Sequence, residues 1–222
     1  MPPSPTTAQL LDHHGACTEA TLWAERYTRL DALWHDCPRA EWMVWVLGRL
    51  DDLGYLCTER ELRRFAVECT RRVESLLVDS RSREALRAAA ATAERHAPNY
   101  GLAANWPDAR DAARAVTRTP QWSASVSAAT LAAAHLVRPR ASDAAWEVSR
   151  QVLRAVAWHP QEDANAEAEE RWQIELLHGL VDPRPQGVFA RVWDDFVAST
   201  SGDTSDRGSA GHGGHRARSG WG

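Results

Sequence analysis

Apolar residues recur at helical spacing along most of this chain, and that periodicity constrains its fold more than any other feature. Leu62, Phe65, Cys69, Val73 and Leu76 lie three or four residues apart, so they share one face of a helix. No stretch of four or more residues alternates convincingly as a strand would, and neither Asn-Gly nor Asp-Gly marks a hairpin. The pattern predicts an all-α protein.

Similar apolar stripes predict about eight helices, packed as a single irregular multi-helix bundle. The helix around Leu62 has a capping-box sequence at its start, in which Thr58 and Glu61 would each satisfy a free N–H group. Thr119 and Pro120 have the residue types of another helix start. The other expected helical segments are 22–30, a short turn at 30–35, 39–53, 84–97, 122–136, 142–156, 162–181 and 188–196.

Glycine is concentrated at one end of the chain. Residues 199–222 contain 7 of the 13 glycines and almost no apolar residues, so this tail cannot bury enough surface to offset its ordering entropy. We expect residues 1–15 to be a flexible N-terminal segment, 16–198 to be the helical domain and 199–222 to be a disordered tail.

Charge and cysteine content point to a cytoplasmic protein. The first residues lack the basic and apolar regions of a signal peptide, and no run of 18 apolar residues could span a membrane. Cys17, Cys37, Cys57 and Cys69 form no CxxC pair, and we expect them to stay reduced and mostly buried. A net charge of −4 argues against general nucleic-acid binding.

Motifs of catalysis are missing from the sequence. All 26 basic residues are arginine, which rules out Schiff-base chemistry on lysine and a phosphate-binding P-loop. The HExxH and GxSxG patterns do not occur either. We therefore predict no catalytic residues, no cofactor and a non-enzymatic role.

Two short His/Cys motifs leave a metal- or redox-sensing alternative open. His14 and Cys17 belong to one motif, and His35 and Cys37 belong to the other. Together they would supply the four nitrogen and sulfur ligands that zinc prefers. Their spacing is not one of the usual zinc patterns, so helix-end and core positions are the competing interpretation.

The first turns of the predicted helix 162–181 form an acidic segment. It carries five acids in nine residues and no base, which suits the positive end of a helix dipole. A solvated helix start is one interpretation, and a docking patch for a basic protein partner is the other. The acids are Glu162, Asp163, Glu167, Glu169 and Glu170.

The most distinctive segment is WHDCPRAEWMVWVLGRL at residues 34–50. It resembles the opening motif of a bacterial family of immunity proteins, the immunity-protein-five-like helical domains, which has the form W…C…(D/E)WLLWLxGR. Further similarity extends over roughly residues 16–182, through segments like 62–71, 85–96 and 170–177. The motif residues carried by this chain are Trp34, Cys37, Trp42, Trp45 and Arg49.

The resemblance implies a helical protein that neutralises a cognate toxin by covering its surface, with no catalytic residues. The chain departs from the family at residues 98–140, where prolines and tryptophans replace long alanine tracts, and at Thr70 and Arg71. From spacing alone, Trp42 and Trp45 share a helix face. Such a stripe is typical of a core, and tryptophan is also frequent at binding hot spots.

Overall fold

The computed structural model describes residues 5–78, 80, 82–84, 86–87, 91, 123–136, 138–159, 165–184 and 187–202. Over these residues the chain is helical with no strand, which confirms the all-α prediction. No helix in this part of the chain is long and apolar enough to cross a membrane. Its helices with defined bounds are α1 Thr7–His13, α2 Thr18–Ala24, α3 Leu30–His35, α4 Ala40–Asp52, α5 Glu59–Arg72, a 3-10 helix Glu74–Leu76, α6 Ala124–His135, α7 Ala141–Ala157, α8 Ala166–Leu180 and α9 Val188–Gly202.

Helix α7 lies at the centre of the bundle and packs against α4, α5, α6 and α8. Its Val148, Val152 and Ala155 are fully buried, three or four residues apart, as the 3.6-residue helical repeat requires. The largest fully buried side chains around it include Phe65 and Met43. One continuous hydrophobic core therefore joins residues from α1 to α9.

Helices α4 and α7 approach closely at a glycine. A Cβ atom added to Gly48 would lie 2.8 Å from the Cβ atom of Ser142, the second residue of α7. The missing side chain of Gly48 is thus what allows this contact between the two helices.

The prediction of a flexible segment over residues 1–15 is wrong for residues 7–13, which form α1. Thr6 caps this helix in a capping box with Gln9. Leu10 and Leu11 are buried in the core, and the hydroxyl of Thr7 donates a hydrogen bond to the carbonyl oxygen of Ala24 at 2.9 Å. These long-range contacts stabilise a helix too short to form alone.

The predicted capping box at the start of α5 is also wrong. Thr58 is the N-cap residue, but its side chain makes no capping hydrogen bond. Its backbone N–H donates instead to the Asp51 carboxylate at 3.2 Å, so Asp51 takes the role expected of Glu61. The Thr58 hydroxyl is buried and has no hydrogen-bond partner among the described residues.

Other helix ends differ from the prediction by a few residues. Ser123 caps α6 by accepting the N–H of Val126, whereas the expected Thr119 and Pro120 lie outside the described residues. Asn165 caps α8 by accepting the N–H groups of Glu167 and Ala168. Helix α9 continues to Gly202, so residues 199–202 of the expected tail are helical.

Candidate functional site

A cluster of half-exposed aromatic and charged side chains lies where α2, the start of α4 and α8 meet. We call it the Arg39 surface. It contains the residue types that dominate protein-binding hot spots, tryptophan, tyrosine and arginine. Its members are Glu19, Trp23, Arg26, Tyr27, Arg39, Glu41, Trp42 and Glu170.

Three aromatic rings form its apolar part. The Trp23 ring centroid lies 4.8 Å from that of Tyr27 and 5.6 Å from that of Trp42, both in tilted arrangements. All three side chains are partly buried against the core, so their positions are fixed by packing. The guanidinium of the exposed Arg26 covers the Trp23 ring at 5.1 Å and the Tyr27 ring at 5.6 Å.

Arg39 is the ionic centre of the surface. Its guanidinium nitrogens lie 2.5 Å from Glu41, 3.3 Å from Glu170 and 3.7 Å from Glu19. The same guanidinium lies over the Trp42 ring at 5.6 Å from its centroid. The Arg39 guanidinium thus lies within 4 Å of three carboxylates. One of them belongs to Glu19, whose side chain is 72% exposed.

The contact between Arg39 and Glu170 is an ion pair without a hydrogen bond. Arg39 Nε and Glu170 Oε1 are 3.3 Å apart, yet both atoms are shielded from solvent and neither has a hydrogen-bond partner in the described part of the chain. Burial raises the pKa of the Glu170 carboxyl, Arg39 lowers it and Glu41 raises it. Glu170 is therefore an incompletely satisfied acceptor at the edge of the surface.

Helix α7 extends the cluster with a third cation. Arg150 lies over the Trp146 ring at 4.4 Å, and its Nε is 3.9 Å from Glu41. With Arg150 included, three cations, Arg26, Arg39 and Arg150, balance the three carboxylates of Glu19, Glu41 and Glu170.

Comparisons with known proteins give no match for this chain: no family model, curated protein or solved structure matches it significantly. The resemblance to immunity proteins therefore stays a prediction.

The five motif residues of that resemblance do not form one site. Trp42 belongs to the Arg39 surface, whereas Trp34 is 1% exposed and packs against His178 and Phe189. Trp34, Trp45 and Arg49 line a small, mainly apolar cavity of about 40 Å³. The motif is thus divided between core packing and surface.

Cys37, the fifth motif residue, is a buried thiol. It is 6% exposed, and its sulfur donates to the carbonyl oxygen of Arg39 at 3.4 Å. Burial raises the pKa of this thiol to about 11. At neutral pH the group is protonated, so it is a poor nucleophile.

The three described members of the acidic segment, Glu167, Glu169 and Glu170, do not form one exposed patch. Glu162 and Asp163 lie outside the described residues, and Glu167 is exposed. Glu169 is only 3% exposed, because its carboxylate accepts hydrogen bonds from Arg72 at 3.1 Å and Gln173 at 3.3 Å inside the fold. Of these three acids, Glu170 alone joins the Arg39 surface.

The four candidate metal ligands are not assembled. Cys17 and His35 are exposed, His14 is half-buried and Cys37 is buried. Within the described part of the chain, which includes all four, no three His, Cys, Asp or Glu residues could hold a metal ion together. The metal-sensing alternative therefore has no preformed site.

Sequence reasoning singled out Trp42 and Glu170 but missed Arg26, Tyr27 and Arg39 as site residues. A signal was present in Trp23, Arg26 and Tyr27, whose spacing of three and four residues places them on one side of a helical turn. The pairing of Arg39 with Glu170 left no local signal, because 131 residue positions separate them.

Proposed function

We propose that this protein is a non-enzymatic binding protein that covers part of a protein partner, as the immunity-like resemblance implies. The Arg39 surface is its contact region. The observation that carries the proposal is the continuous set of contacts among Trp23, Tyr27, Trp42, Arg26 and Arg39 on a half-exposed face.

Rigid aromatic side chains favour binding because they bury a large area and lose little conformational entropy on association. The rim carboxylates Glu19 and Glu170 complement a basic side chain, so the partner we propose presents a basic surface here.

Binding of the Arg39 surface over part of a toxin would be enough to inhibit that toxin. A toxin whose basic, substrate-binding surface docks on this face would lose access to its substrate without any chemical step. The sequence predicts a cytoplasmic protein, so we propose that this inhibition takes place in the cytoplasm.

The test is capture of partners from the native host, with two double variants of equal net charge. Glu19→Arg with Arg26→Glu reverses two exposed charges of the Arg39 surface. Arg64→Glu with Glu175→Arg reverses two exposed charges on α5 and α8 outside it. Mass spectrometry should find the same toxin with the wild type and the second variant, and lose it with the first.

Equal recovery of that toxin with both variants would refute the Arg39 surface as the contact region. Recovery of no partner other than the protein itself would contradict the binding function.

A further inference from the structure

Thr58 and Glu61, the residues of the expected capping box, do not cap α5 through their side chains. Glu61 is half-buried and forms no ion pair or side-chain hydrogen bond within the described chain. Thr58 is 2% exposed, and its Oγ1 has no partner there. A buried hydroxyl without a partner costs free energy, so its retention needs an explanation other than helix capping.

Both residues line one cleft, between the α4–α5 turn and the C-terminal end of α8. The cleft has a volume of about 560 Å³, within the range of small-molecule sites. Tyr55, Leu56 and Leu180 contribute apolar surface to it.

The charges of the cleft favour a cation. Its two ionisable carboxylates belong to Glu61 and Asp182, and none of its lining residues is basic. Arg184 neutralises Asp182 through two hydrogen bonds of 2.8 and 2.9 Å, which leaves Glu61 as the uncompensated charge. The C-terminal end of α8 adds the negative end of a helix dipole.

We propose that this cleft binds a small primary alkylammonium ion. Its N–H groups donate to the Glu61 carboxylate and the Thr58 hydroxyl, while its carbon chain lies against Leu56 and Leu180. The site is separate from the Arg39 surface and does not depend on the proposed binding function.

The experiment titrates the full-length protein with n-butylammonium chloride and follows backbone amide resonances by NMR. We expect saturable shifts centred on residues 54–61 and 180–182. The neutral analogue 1-butanol has the same carbon chain and should give no saturable shifts there.

Two variants identify the recognising groups. Glu61→Gln should weaken binding at least about tenfold, because a hydrogen bond between two charged groups is lost. Thr58→Val should also weaken binding without lowering Tm, because the hydroxyl has no partner in the folded chain. Glu175→Gln, on the exposed side of α8, should leave the affinity unchanged.

The proposal is overturned if the folded protein gives no saturable shift with butylammonium, if butanol gives the same shifts, or if Glu61→Gln binds as the wild type does.

Discussion

Arg63 joins three parts of the fold through one buried guanidinium. Its Nη1 donates to the carbonyl oxygens of Leu136 at 3.2 Å and Arg138 at 2.6 Å, and Nη2 donates to that of Pro139. Its Nε donates to Glu59 at 3.0 Å. Burial lowers the pKa of this group, and Glu59 opposes that shift. Arg63 therefore fixes the end of α6 and the turn into α7 to the start of α5.

We predict that Arg63→Lys lowers the free energy of unfolding by about 1–3 kcal/mol, because an ammonium group cannot reproduce the planar fork of donors. Urea denaturation measures the change. The adjacent, exposed Arg64→Lys is the control and should stay within about 0.5 kcal/mol of the wild type. Equal effects of the two variants would show that the carbonyl contacts contribute little.

His178 makes stability depend on pH. Burial lowers its pKa, as do His35 and Arg184, while Asp182 raises it. Its ring also packs edge-on against Trp34. Below a pH of about 6.5 the unfolded chain then binds more protons than the folded chain at this position, so the free energy of unfolding falls as pH falls.

We predict that His178→Gln makes this decline shallower between about pH 7 and about pH 5.5. Urea denaturation at the two pH values gives the slope, which separates titration from any change in packing against Trp34. An unchanged slope would assign the acid sensitivity to other groups.

Among the helices, most of the long elements could be predicted from the sequence, but fewer of the residues at which they begin and end. Helices α4, α5, α7 and α8 have apolar residues at 3.6-residue spacing, which is a local signal. Helix α1 was missed because contacts with distant residues, such as that of Thr7 with Ala24, stabilise it. The expected capping box at Thr58 does not form. Asp51, on the preceding helix, accepts the backbone N–H of Thr58 that Glu61 was expected to bind.

We predict that Gly48→Ala lowers the free energy of unfolding by about 1–3 kcal/mol, since its Cβ would meet Ser142 at 2.8 Å and force α4 and α7 apart. Gly179→Ala in α8 is the matched control, because a Cβ there meets nothing within 4 Å. That variant should gain about 0.5–1 kcal/mol from helix propensity alone. Thermal unfolding of both measures the difference, and a stabilised Gly48→Ala would disprove the close contact.

At the scale of the whole molecule, the fold class could be predicted and the site largely could not. An all-α bundle follows from helical periodicity, which is clearest in α5 and α7. The Arg39 surface needs residues from α2, α4 and α8 together, and such juxtapositions are set by packing. The same reason applies within the acidic segment: the local run of acids gives no sign that Glu169 is buried against Arg72.

The proposed function depends on contact between the Arg39 surface and a protein partner. Its most direct test is the Kd of the captured partner, measured by calorimetry for the wild type and the two charge-reversal double variants. Glu19→Arg with Arg26→Glu should weaken binding by about tenfold or more, because the first change places a cation against the basic surface of the partner. The second change removes the guanidinium that covers the Trp23 and Tyr27 rings. Arg64→Glu with Glu175→Arg should bind as the wild type does. A normal Kd for the first variant would show that the Arg39 surface does not contact the partner.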